Sequence, residues 1–236
     1  MQKAILKPAR YLRGPKCQGF WLLLMMSGAV VHAAGRAEPT QSIADLPQEW
    51  HGIVDYLEGD VFIDDAQADI GVGVWPGSTV VTAEESSCQI VFADRNILHI
   101  DENAILLISP EVGPQSFNLE SGTLAAVFNN LWQLTQNRVD VHTEVTVLGV
   151  RGTAFFVKAG GDYTYVCVCN GILGIADTEG GTTLTVEAYH HSARLFWRNG
   201  KTITMKPATL LYHDDASMDE LARKIGVEIP WGEASE

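Results

Sequence analysis

Between Gly52 and Ala176 the chain alternates, almost without exception, short apolar or alternating runs with breaks made of Gly, Asp, Asn, Ser and Pro. The runs are Gly52 to Asp64, Gly71 to Ala83, Cys88 to Phe92, Ile97 to Ile100, Ala104 to Ile108, Ser116 to Asn118, Gly122 to Phe128, Arg138 to Thr143, Val145 to Lys158, Tyr163 to Cys169 and Ile172 to Ala176. They are rich in branched and aromatic side chains, which fit a pleated surface, and the breaks hold the residues that close turns. No alternation of helix with strand suggests a parallel α/β sheet. The pattern predicts an all-β fold, either a sandwich or a solenoid-like wrap of many short strands.

A second group of strands is expected at Thr182 to His190, Ala193 to Trp197 and Lys201 to Met205, with Asn199-Gly200 as a hairpin turn. One helix is expected, at the end. Ser217-Met218-Asp219-Glu220 has the form of a capping box, Met218 to Ile225 is helical in composition, Gly226 suits the position just past the helix, and Pro230 blocks continuation. The β domain is therefore expected over 52–178, with a C-terminal β-hairpin extension and short helix over 179–236.

Residues 1–33 read as an export signal: Lys3, Lys7, Arg10, Arg13 and Lys16 precede an apolar run from Phe20 to Val31, and Val31-His32-Ala33 offers small residues for cleavage. The run is shorter than the roughly 20 residues needed to span a bilayer. Cys17 precedes the run, which is the wrong side for lipidation. Cleavage would leave a soluble periplasmic chain with no stable membrane span, led by a linker over 34–51. The full chain carries 16 Lys+Arg against 29 Asp+Glu, and losing five basic residues leaves 11 against 29, a net charge of −18. Such a surface repels phosphate backbones and anionic lipid, which argues against nucleic acid as a partner. Cys88, Cys167 and Cys169 would remain, an odd number that rules out a framework of paired cysteines.

The strand Val147-Leu148-Gly149-Val150-Arg151-Gly152-Thr153-Ala154-Phe155-Phe156-Val157 sets two glycines about a lone arginine in a neutral run. It resembles the signature of the FecR domain, an all-β module of bacterial envelope proteins, in which apolar residues lead into Val-Arg-Gly-Thr, an aromatic and a valine. Gly52 to Val61 is similar to that family's opening strand, Val74-Trp75-Pro76-Gly77-Ser78-Thr79-Val80 to a turn, and Phe117 to Leu124 to a Leu-x-x-Gly strand. Asp94-Arg95-Asn96 stands where the family has Asp-Gly-Ser, so a turn glycine is missing. The resemblance implies an extracytoplasmic sensing or scaffolding module that acts by contact with an envelope protein. Regulatory members of the family relay the state of an outer-membrane transporter to an inner anti-sigma region.

The signature residues Gly149, Arg151, Gly152 and Thr153 are expected to be structural, with Arg151 buried or half-buried against loop carbonyls, Asp101 or Glu120 and the glycines allowing close backbone approach. Cys167 and Cys169 fall on one face of a strand, with Thr164, Val166 and Val168 on the other. Two readings stay open for them. They are half of a soft transition-metal site completed by His190 or His191, or they are small buried hydrophobes. Some exported FecR-like proteins look similar in pairing Cys-x-Cys with a downstream His-His. His213-Asp214-Asp215 could bind a divalent ion but more simply offers capping carboxylates. No nucleophile elbow, phosphate loop, paired-histidine helix or calcium loop is present, so a non-catalytic protein is expected.

Overall fold

The computed structural model describes residues 51–92, 96–110, 115–129 and 138–232. The export signal of 1–33, the linker of 34–51 apart from His51, and Asp94-Arg95 lie outside the described residues. The described residues belong to one compact unit.

The strands in chain order are β1 (Gly52–Glu58), β2 (Val61–Ile63), β3 (Ala66–Gln67), β4 (Gly73–Val74), β5 (Thr79–Thr82), β6 (Ser87–Phe92), β7 (Asn96–Ile100) and β8 (Ile105–Ile108). They continue as β9 (Gln115–Phe128), β10 (Val139–His142), β11 (Thr146–Ala159), β12 (Tyr163–Asp177), β13 (Thr183–Ala188), β14 (Ser192–Asn199) and β15 (Thr202–Ala208). One helix, α1 (Asp215–Lys224), follows. The all-β expectation holds, with every strand in one hydrogen-bonded network.

That network folds over on itself into a sandwich because three long strands run through both layers. The front layer reads β15, β14, first half of β12, second half of β11, second half of β9, β7, β6, β1, β4. The back layer reads β13, second half of β12, first half of β11, β10, first half of β9, β8, β5, β2, β3. Among the described residues, only the β9–β10 pairing is parallel. Each long strand turns the corner at a glycine of positive φ: Gly122 (92°) in β9, Gly152 (58°) in β11 and Gly171 (112°) in β12. Gly122 also has no room for a side chain, since a Cβ there would lie 2.4 Å from Ala104 Cα. These glycines explain why the sequence reads as separate runs, 116–118 and 122–128, or 163–169 and 172–176, where the fold has single strands.

Pleat alternation then divides the apolar residues. Val54, Ile90, Leu98, Phe155, Val157, Val166 and Val168 of the front layer meet Leu106, Phe117, Leu119, Val141, Leu148 and Leu173 of the back layer in the main core. A second apolar cluster forms on the outside of the front layer, where Ile97, Val127, Phe156, Tyr165, Cys167 and Cys169 are covered by Met218, Leu221, Ala222 and Ile225. The helix starts one turn earlier than Ser217 indicates. Asp214 is the N-cap, its carboxylate accepting from the Ser217 backbone N–H at 2.8 Å, and Ser217 Oγ accepts from the Asp214 N–H at 3.1 Å. Asp and Ser cap about equally well, and the Asp214 carboxylate also complements the helix dipole while Ser217 completes the capping box. Gly226, with φ 66°, takes the left-handed position after the last turn, as expected. Asn199-Gly200 turns the β14–β15 hairpin, with Asn199 opposite Thr202. Among the described residues, no helix is long and apolar enough to cross a membrane.

Candidate metal centre and a glycine-floored groove

Strand β12 places Tyr165, Cys167 and Cys169 on the outward face of the front layer and Val166 and Val168 in the main core. The alternation read from the sequence is the one observed. Both cysteines are completely buried and unpaired by disulfide. Their cover comes from two places. The turn between β13 and β14 brings His191, and the loop entering α1 brings His213. Cys167 Sγ lies 3.6 Å from His191 Nδ1, and Cys169 Sγ lies 3.3 Å from His213 Nε2. The four ligand atoms lie within 4.8 Å of one another.

The two histidines are oriented from behind. His191 Nε2 donates to Asp215 Oδ1 at 2.7 Å, and His213 Nδ1 donates to the Leu211 carbonyl at 2.9 Å. A carboxylate and a carbonyl only accept, so the outer nitrogen of each ring carries the proton and, in the neutral tautomer, the inner nitrogen turns a lone pair to the sulfurs. Packing fixes the ring planes as well. His213 stacks on Phe156 at 4.2 Å between centroids, and His191 stacks against Trp231 at 5.1 Å. His190 differs from its expected part: its Nε2 reaches Asp215 Oδ2 at 3.0 Å and no sulfur. It steadies the carboxylate that steadies His191. β13 ends at Ala188, so both histidines lie in the turn that follows it, His191 with φ 34°. His213, not His190 or a strand neighbour, completes the set. Its signal was the histidine beside Asp214-Asp215, which sequence reasoning spent on helix capping.

The electrostatics suit a ligand set. The hydrogen bond from Cys169 pulls the Cys167 thiol well below its ordinary value, with further help from His191 and His213 and against burial. Burial and the adjacent Cys167 push Cys169 well up. Burial opposes protonation of His191, but its hydrogen bonds to Cys167 and Asp215 outweigh this and raise it. His190 first, then His191, hold Asp215 below the usual carboxylate range.

Cys167, His191 and Asp215 also share the connectivity of a thiol nucleophile with its base and orienter. A nucleophile must meet an electrophile, however, and here Cys167 is sealed while Cys169 and His213 fill the space before it. The arrangement can bind an ion far more readily than it can attack a substrate. A cleft of about 410 Å³ lined by His213, Phe156, Tyr212, His99, Asp101 and Leu221 approaches the centre from beside α1.

The signature residues lie elsewhere, on the outer face of the back layer. Arg151 is exposed, which corrects the expectation of burial against Asp101 or Glu120; among the described residues its guanidinium has no hydrogen-bond or ion-pair partner. The reason is strand alternation: Thr146, Leu148 and Val150 face the core, so Val147, Gly149 and Arg151 face outward, and the register shift at Gly152 comes only after the arginine. Thr153 is buried and fastens the bend, its Oγ1 donating to the Ile172 carbonyl at 2.8 Å. Gly149 pairs with Gly174, and the two floor a shallow groove of about 360 Å³ flanked by Arg138, Arg151 and the exposed Ile172.

Residues 78–173 match the family model described as FecR protein. The opening strand Gly52 to Val61 lies before the match, while Phe117 to Leu124 and the Val147 to Val157 strand lie inside it. No curated protein matches the chain. Among solved structures, it is similar to two crystal structures, at 1.65 Å and 2.50 Å, of a candidate anti-sigma factor from Parabacteroides distasonis ATCC 8503. Each is 14% identical with a TM-score of 0.45, over 55% of this chain and 59% of the other. Over residues 78–173, from β5 into β12, the chain is similar to the FecR family, and the matched stretch contains the Val-Arg-Gly-Thr strand.

Proposed function

We propose that this chain is an exported, non-catalytic FecR-type sensing module that works in the periplasm by contact with an envelope protein. One observation carries the reading: the groove floored by Gly149 and Gly174, where the arginine of the signature stands exposed beside Ile172, its guanidinium without a partner among the described residues. A fold-stabilising arginine would be expected to find an internal acceptor. An arginine held at the rim of a glycine trough, next to an exposed aliphatic side chain, has the make-up of a recognition surface, since Arg is enriched where partners bind. The glycines let a partner backbone approach the sheet closely. The net charge of −13 on the whole chain makes this cationic rim locally distinctive and favours an acidic segment on the partner.

A photo-crosslinking residue at position 172, introduced in the producing bacterium, tests this. A discrete adduct in the periplasmic fraction, lost on Arg151→Glu with an unchanged melting temperature, is expected. Retention of the adduct in Arg151→Glu, or recovery of the protein only from the cytoplasm, would refute it.

A second reading, metal binding, is favoured by the convergence of two thiols and two imidazoles on one point. It is compatible with the first, because the two sites lie on opposite outer faces of the sandwich.

A further inference from the structure

We propose, resting on the metal-binding reading, that Cys167, Cys169, His191 and His213 hold a single tetrahedral zinc-class ion, and that this ion clasps residues 209–232 onto the front layer. The ligands come from three separate parts of the chain: strand β12, the β13–β14 turn, and the loop before α1. An ion bound among them is a cross-link between the FecR sheet and the C-terminal segment.

The geometry fits such an ion closely. Tetrahedral zinc with bonds near 2.3 Å to sulfur and 2.0–2.1 Å to nitrogen sets sulfur and nitrogen about 3.6 Å apart. The two cysteine–histidine distances are 3.6 and 3.3 Å. Two sulfurs and two nitrogens fill all four positions, which is the composition of a structural site with no opening for substrate. The supporting shell is complete too, with Asp215 behind His191 and the Leu211 carbonyl behind His213. Binding requires both sulfurs as thiolates, so the thiol protons leave to solvent as the ion enters.

The clasp follows from where the ion would sit among the segment's other holds, which include Tyr165 Oη to the Thr209 carbonyl and Asn170 Nδ2 to the Pro230 carbonyl. A helix of 10 residues does not sustain itself in water, so α1 depends on what seats it. Its apolar seat is Met218, Leu221, Ala222 and Ile225. Polar ties flank the seat: Tyr165 Oη accepts from the Leu211 N–H at 3.0 Å, and Trp231 Nε1 donates to Asp219 at 2.9 Å. His213 and Asp215 sit between these ties, at the first turn, so an ion there locks the end from which the helix would lift. Loss of the ion frees the segment and uncovers Ile97, Val127, Phe156 and Tyr165, an apolar face distinct from the arginine groove.

The test uses the untagged full chain expressed with zinc. Elemental analysis should find about one zinc per chain, abolished in Cys169→Ser and reduced in His213→Ala but unchanged in His142→Ala, a histidine far from the centre. Chelation should then speed amide exchange in residues 209–232 by about tenfold or more while β6 and β7 stay protected, with zinc alone restoring the original rates. Less than a tenth of an equivalent of any metal would overturn the metal-binding reading and the clasp together. Equimolar copper would overturn the zinc assignment. Stoichiometric zinc with exchange unchanged after its removal would overturn the clasp alone. If either variant fails to fold, chelation and zinc return on the wild type decide the matter unaided.

Discussion

Two glycines of the FecR-like pattern, Gly122 and Gly149, should respond in opposite ways to the same added methyl group. At Gly122 the backbone has φ 92°, and a Cβ would stand 2.4 Å from both the Cα and the Cβ of Ala104, with no flexible side chain to yield. The strained φ costs a non-glycine residue roughly 1–2 kcal/mol, and forcing extra volume into a packed corner costs about 1–3 kcal/mol more. Gly122→Ala should therefore lose roughly 2–5 kcal/mol, which for a domain of this size lowers the melting temperature by about 5–15 °C. At Gly149 the φ is ordinary, and the nearest atoms to a new Cβ belong to the Arg138 guanidinium at 3.5 Å, a normal van der Waals distance. Gly149→Ala should shift stability by less than about 0.5 kcal/mol, or stabilise slightly by restricting the unfolded chain. It should nevertheless weaken the position-172 crosslink, because the methyl group rises from the floor of the groove. Calorimetry and denaturant titration of the two variants measure the stability difference directly. Equal melting temperatures would refute the corner-turning role of Gly122, and an unaltered crosslink in Gly149→Ala would refute the role of the trough.

Arg151→Ala, with its side chain in solvent, should change stability by less than about 0.5 kcal/mol, in place of the roughly 3–5 kcal/mol that breaking a buried charge pair would cost; a large melting shift would restore the buried-partner view. Asp215→Asn should weaken metal affinity by about 10–100-fold by loosening His191, read by competition with a fluorescent zinc chelator, and unchanged affinity would detach Asp215 from the centre. Burial pushes the Cys88 thiol up to about 12, so it stays protonated in the native state and should resist iodoacetamide at pH 8 until the protein unfolds. Because that folded value lies above the ordinary 9.0, Cys88 contributes full stability below about pH 9 and loses it as the pH climbs toward 12; native-state alkylation at Cys88 would contradict the burial.

Much of the molecule is legible in its order of residues, because the signals are local. Period-two alternation in Tyr163 to Cys169 forces both sulfurs to one face, whatever the strand packs against. Asn199-Gly200 dictates a hairpin, and Gly226 the end of a helix, through backbone preferences that need no tertiary context. What decided the rest was distance across the fold. Arg151 looked buried because its neighbours are apolar, but alternation puts it on the outward face of β11, and which face of a strand is covered is decided by what packs against the sheet. The third and fourth ligands could not be chosen from spacing, since His191 lies 22 residues and His213 44 residues beyond Cys169. Those gaps are closed by the β14–β15 hairpin, which returns the chain to the outer face of β12, and by Asp214, which caps the helix where His213 meets Cys169. Side-chain chemistry along the chain names the atoms that could bind an ion; only the path of the sheet brings four of them to one point.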